Sequence, residues 1–312
     1  MNFQQLEYIL AVDRYRHFVT AAEKCYVTQA TLSTMIRKLE EELGVILFDR
    51  SHHPVVPTAV GKKIINQARV VLQEAARLRE MVRHEKEELV GDLHVGMIPT
   101  LAPYLLPFFL AAFQQQYPGI HLILSEITTS EIIERLRRHE LHCGLLALPV
   151  NENDLICDPL FYEEFVIYTS LKSLGPKKKL IPAERLKKEP LWLLEEGHCL
   201  RNQVINLCDL KGNESKNRTL DLSAASLETL RKVVDMLKGT TILPELALAG
   251  MSRSQARRIR YFQPPVPVRC IGLVRLRYSV KAKMLDALRQ VIVSSLPPSM
   301  LTDKNKKIIS PD

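Results

Sequence analysis

The period at which apolar residues recur changes once along this chain, near residue 90, and that change restricts the fold more than any other feature. Before it, every pattern is helical. Phe3, Leu6, Ile9 and Leu10 share a face over residues 3–13, and Leu32, Ile36, Leu39 and Leu43 recur four, three and four apart. Thr28 is placed to cap the latter helix and Gly44 to stop it. Between these two, Thr20 and Glu23 have the spacing of a capping box, and Ala21 and Ala22 are small enough for close helix contact. A short helix is therefore predicted there, with a turn at Tyr26 and Val27. Asp49 to Pro57, with two histidines and two prolines, reads as a short loop or hairpin.

A longer helical pattern runs from Thr58 to about Leu89. Its Ile64, Ala68, Val71, Ala75, Leu78 and Val82 alternate four and three apart, the seam of two paired helices. From Asp92 the chain alternates short apolar runs with helical patterns: LHVGMI, a helix over 103–117, IHLILS, a helix over 130–138, then HCGLLAL. This order predicts an α/β region with a parallel sheet. Further strands are expected at 159–169, 190–194, 218–222, 240–243 and 270–276, and helices at 200–208, 227–237 and 281–296. The Lys-rich, Pro-containing stretch 172–188 suggests that the α/β region divides into two lobes.

Composition excludes several classes. No run approaches the roughly 20 apolar residues of a membrane span, and MNFQQLEYIL lacks the basic and apolar segments of a secretory signal, so a cytoplasmic protein is expected. Cys25, Cys143, Cys157, Cys199, Cys208 and Cys270 are scattered without metal-type spacing. His139, His142 and Cys143 straddle a change from helix to strand, unsuited to a metal. With no Gly-rich phosphate loop or hydrolase motif either, no metal, no cofactor and no enzyme are expected. The net charge of +8 suggests a polyanionic partner, yet residues 1–58 hold six Lys/Arg against seven Asp/Glu. The surplus lies downstream, in 172–188, MSRSQARRIR and the tail KNKK.

The run TAAEKCYVTQATLSTMIRKLEEELGVILFDR resembles the signature of LysR-type transcription regulators, with Ala21, Ala22, Gln29, Ser33, Ile36, Leu39, Glu40, Leu43, Gly44, Leu47, Phe48 and Arg50 in register. Two departures are Ala30, where proline is common, and His52-His53, where the wing usually holds an arginine. The resemblance implies a winged helix-turn-helix DNA-binding domain (1–58), a linker and dimerisation helix (59–89) and a regulatory domain resembling periplasmic binding proteins (90–300). The regulatory domain has one lobe at about 90–163 and 270–300 and the other at about 164–269. Residues 301–312 are expected to be a disordered basic tail. The partners implied are double-stranded promoter DNA, RNA polymerase and further copies of the chain, as a homodimer or homotetramer. Helix residues Gln29, Thr31, Ser33 and Thr34 would read bases, Arg37, Lys38 and Arg50 would contact DNA, and Glu40, Glu41 and Glu42 would face away.

IPTLAPYLLP, LLEEGHCLRNQVINLC, SLETLRKVV, ILPELA and IGLV resemble the peroxide-sensing branch of that family, most specifically in the pair Cys199 and Cys208. That resemblance implies hydrogen peroxide as signal, a reversible Cys199–Cys208 disulfide reset by a cellular dithiol reductant, and Thr100, Thr129, His198 and Arg269 around the thiol. Asn202 stands where an acid is often seen. Read physically, Cys199 follows Gly197 and His198 at a helix start with Arg201 two residues on, a setting expected to favour thiolate. Nine residues of helix separate the two cysteines by about 13.5 Å, whereas a disulfide needs Cα atoms within about 7 Å, so closing the bond requires unwinding. Burial without reactivity is the expectation for Cys25, Cys143, Cys157 and Cys270. Two other readings stay open: a small organic effector bound between the lobes, and a catalytic thiol peroxidase.

Overall fold

The computed structural model describes residues 1–85, 89–171, 174–175, 180–210, 224–277 and 281–311. They form two compact units, Met1–Glu88 and Leu89–Asp312.

In the first unit, α1 (Phe3–Tyr15), α2 (Phe18–Lys24) and α3 (Gln29–Leu43) enclose Leu6, Ile9, Val12, Ala21, Ala22, Leu32, Ile36 and Leu39. Thr28 caps α3 through Thr31 N, and Gly44 ends it at φ 66°, a left-handed conformation suited to glycine. The capping box expected at Thr20 and Glu23 is absent. His17 caps α2 instead, three residues before Thr20 would, and Asn2 forms a reciprocal box with Gln5 at the start of α1. Leu43 is exposed, because the last turn of α3 runs past the core. The wing pairs β1 (Phe48–Asp49) with β2 (Val56–Pro57). It leads into α4 (Ala59–Glu85), and there Gly61 passes so close to the wing that a Cβ would lie 2.0 Å from the Leu47 carbonyl oxygen.

The proposed seam on α4 is partly occupied within the chain. Ala68 is buried in the unit's own core, Ile64 and Val71 pack against it, and Arg69 pairs with Asp13 of α1. Ala75 is half-buried, and the side chains of Leu78 and Val82 lie outside the described residues. Val60, in line with the seam, and Val70, on another face of the helix, remain exposed.

The second unit is α/β. In its sheet β3 (Gly91–Met97) runs parallel to β4 (Ile120–Glu126) and β5 (Cys143–Leu148), with α5 (Ala102–Gln116) and α6 (Thr129–Arg137) as connections. The sheet is not wholly parallel as predicted. The long β6 (Leu155–Thr169) and β9 (Val266–Leu276) are antiparallel to each other, and β9 is antiparallel to β5. Of these two strands, β6 serves both lobes. Phe161, Cys270 and Ile271 belong to one apolar core, whereas Phe165, Val166 and Ile167 belong to a second. The second lobe adds α7 (Cys199–Cys208), α8 (Leu227–Leu237), β7 (Thr240–Pro244), α9 (Arg253–Ala256) and β8 (Ile259–Tyr261), and α10 (Ala282–Ser294) returns to the first. At 190–194 there are only isolated bridges, Leu191 to Thr240 and Leu194 to Ala224. The strand expected at 218–222 lies outside the described residues.

The tail corrects its sequence reading. Lys306–Ile308 form β10, parallel to Val266–Val268, and Ile309 is buried. An apolar isoleucine and an unpaired strand edge on β9 order a segment whose lysines alone suggested disorder.

Candidate redox centre and nucleic-acid interface

Cys199 is the first residue of α7 and lines a cavity of about 360 Å³ together with Thr129, His198, Asn202, Pro149 and Pro311. Burial pushes its thiol above the ordinary value, contrary to the expected lowering. Opposing that push are the positive charge of Arg269, the Thr129 hydroxyl and the backbone N–H groups of Leu200 and Cys199. Thr129 Oγ1 is itself buried and lacks a well-aligned hydrogen bond, so it is free to turn toward the sulfur or a ligand.

Arg269, whose charge acts on the sulfur, and Thr100 do not line the cavity. Arg269 is wholly buried, and its Nη1 and Nη2 donate to Thr100 Oγ1 and the Thr100 carbonyl, both at 3.0 Å. Its Nε donates to Glu163 Oε2 at 2.8 Å, and Glu163 Oε1 accepts from Leu246 N at 2.9 Å. Glu163 was missed by sequence reasoning. The signal was present, since Glu163 shares the inward face of β6 with Phe161 and Phe165, where a lone acid needs a cation. His198 is buried with Nε2 3.8 Å from Glu195 Oε1. Arg201 does not join the group: its Nη1 donates to the Leu194 carbonyl at 3.0 Å.

Cys208, at the other end of α7, is buried in the second core, and desolvation pushes its thiol up to about 12. Both cysteines are free. As termini of one regular helix they are held about 13.5 Å apart along the axis. Burial also raises Cys25, Cys157, Cys143 and Cys270, the last to about 11.

On the first unit, Gln29, Thr31, Thr34, Arg37 and Lys38 are exposed on α3. Ser33 and Arg50 are engaged within the unit. Arg50 donates to Ser33 Oγ (3.2 Å) and Glu40 Oε2 (3.1 Å), and its guanidinium lies 5.0 Å from the Phe18 ring centroid. Glu40 in turn accepts from Leu47 N and Phe48 N. Arg50 and Glu40 thus brace the wing against α3, because the wing's backbone donors need an acceptor that its short hairpin lacks.

Residues 3–62 match the model of bacterial regulatory helix-turn-helix proteins of the LysR family, and residues 86–297 match the LysR substrate binding domain. The chain belongs to the LysR family. Among its LysR-type relatives, the hydrogen peroxide-inducible genes activator of Haemophilus influenzae is 36% identical over 276 residues, 88% of this chain and 90% of that protein. The DNA-binding transcriptional dual regulator OxyR of Escherichia coli is 37% identical over 294 residues, 92% and 95% of the two chains. A full-length OxyR variant from Pseudomonas aeruginosa superposes with a TM-score of 0.79 at 34% identity, covering 94% of each chain. A peroxide-bound OxyR mutant from Corynebacterium glutamicum gives 0.62 at 28% identity, covering 94% of this chain and 92% of its own.

Proposed function

We propose that the protein is a peroxide-sensing, sequence-specific transcription regulator switched by a reversible Cys199–Cys208 disulfide. One observation carries the reading: a cavity-lining thiol and a buried thiol terminate the same helix, the first with Arg269 and Thr129 favouring its thiolate. Thiolate attacks one peroxide oxygen, the O–O bond breaks, and hydroxide leaves, giving Cys199 sulfenic acid. Cys208 then attacks that sulfur as α7 unwinds, expelling the sulfenic oxygen as water. Thr129 orients the peroxide, and the Arg269 charge steadies both thiolate and departing hydroxide. A dithiol reductant restores both thiols.

For DNA reading, the exposed Gln29, Thr31 and Thr34 fit base edges in a major groove, and Arg37 and Lys38 fit phosphates. Ser33 and Arg50 support that surface. With so few cations per unit, specific binding requires a homodimer or homotetramer on promoter DNA, where RNA polymerase is engaged.

Intact mass after one equivalent of hydrogen peroxide tests the chemistry: loss of two hydrogens mapped to Cys199 and Cys208 is expected. A Cys199→Ser chain whose promoter footprint still responds to peroxide would overturn the reading. The apolar part of the cavity wall, Ile133, Ala147, Pro149 and Val150, favours a second reading in which a small organic effector binds there. That reading predicts a response untouched by Cys199→Ser.

A further inference from the structure

The C-terminal segment is bonded to the middle of the helix that the redox reading requires to unwind. After β10, Ile309 N donates to Val268 O at 2.8 Å, and the Ile309 side chain enters the second core. Lys306 Nζ anchors the start of the segment on the Ser299 carbonyl at 2.6 Å, with Glu164 3.8 Å away. From α7, the wholly buried Gln203 donates through Nε2 to the Ile309 carbonyl at 2.7 Å, and Asn206 Nδ2 donates to the Ser310 carbonyl at 3.3 Å. Pro311 then completes the cavity wall beside Cys199. Gln203 and Asn206 both lie between the two cysteines.

We propose that residues 306–311 are a latch that holds α7 in its helical, dithiol form, with Gln203 as the positioning residue of the latch. This rests on the redox reading above. Bringing the termini of α7 from about 13.5 Å to disulfide distance turns Gln203 and Asn206 away from the segment. Both bonds to the tail backbone are then lost, and the buried Ile309 carbonyl loses its α7 donor. Unwinding of α7 and loss of its hold on the tail must therefore occur together. The latch is one-sided, since Gln203 Oε1 is buried without a partner, so a single side-chain bond at this position joins α7 to the strand end. The segment thereby sets how readily an oxidised Cys199 reaches Cys208.

The test uses the full chain, a Gln203→Leu variant, an Ile309→Ala variant and a chain ending at Thr302. In the reduced proteins, hydrogen exchange at α7 amides is expected to quicken about tenfold in the variants while α5 and α10 of the other lobe hold their rates. After peroxide, closure of the disulfide from the sulfenic form is expected to quicken by a similar factor. Unchanged α7 exchange and closure in the variants would overturn the latch, as would equal acceleration across both lobes, which marks general destabilisation. If the shorter chain fails to fold, the two point variants decide. A wild-type chain that never closes the disulfide, with α7 exchange still quickened in the variants, would remove the redox reading and leave the latch as a purely structural clasp.

Discussion

At Cys199 two influences act on one sulfur in opposite directions. Burial favours the thiol, and Arg269 with Thr129 favours the thiolate, with burial the larger. The reactive species is therefore a minor fraction near neutral pH. Because the pKa lies above the ordinary thiol value, the rate of peroxide reaction should rise about tenfold per pH unit between pH 6 and 8, measured by stopped-flow on a Cys208→Ser chain. A flat profile in that range would show that the thiol is already ionised. Glu163 bears on the same sulfur indirectly. It neutralises Arg269 in a site closed to water, and Glu163→Gln leaves that guanidinium uncompensated, at about 3–5 kcal/mol of folding stability. Urea denaturation checks this, and a loss below about 1 kcal/mol would mean that the pair contributes little beyond packing.

Among the elements, those governed by local patterns were legible. The spacing predicts helices over 227–237 and 200–208, and α8 and α7 occupy Leu227–Leu237 and Cys199–Cys208. What escaped depends on distant partners. β8 and β10 are three residues each and gain their place from β6 and β9, so no local alternation marks them. Thr20 and Glu23 have a capping spacing, but the chain enters α2 three residues earlier because His17 can cap. Cys199, Thr129 and His198, grouped from the sequence, line one cavity. Arg201 does not join them, since its direction depends on the Leu194 carbonyl of a neighbouring loop. In the first unit, Gly61 has a backbone role that no periodicity marks. A methyl there meets the Leu47 carbonyl, so Gly61→Ala should cost about 1–3 kcal/mol of the unit's stability by urea titration. Cost-free substitution would mean that the wing can move away from α4.

For the whole molecule, the inward half of the α4 seam serves the chain's own core, so aspartate at Ile64 or Val71 would report on folding as much as on pairing. Coupling between DNA and disulfide gives a cleaner test. If the oxidised and reduced forms bind the promoter with different affinities, promoter DNA must shift the disulfide equilibrium by the same factor, because linkage is reciprocal. Each tenfold difference corresponds to about 30 mV for a two-electron couple. The midpoint moves to more negative potential if the oxidised form binds more tightly, and to more positive potential if the reduced form does. Fluorescence anisotropy of labelled promoter DNA gives the two affinities. Redox titration with and without that DNA gives the shift, followed by the emission of Trp192, the chain's one tryptophan, which lines a small cavity with Leu200 and Val204 of α7. Agreement of the two numbers is expected. A tenfold affinity difference with an unmoved midpoint would mean that oxidation acts on DNA binding through some group other than this disulfide, and Cys25, on α2's C-terminal cap in the DNA-binding unit itself, would be the first to replace.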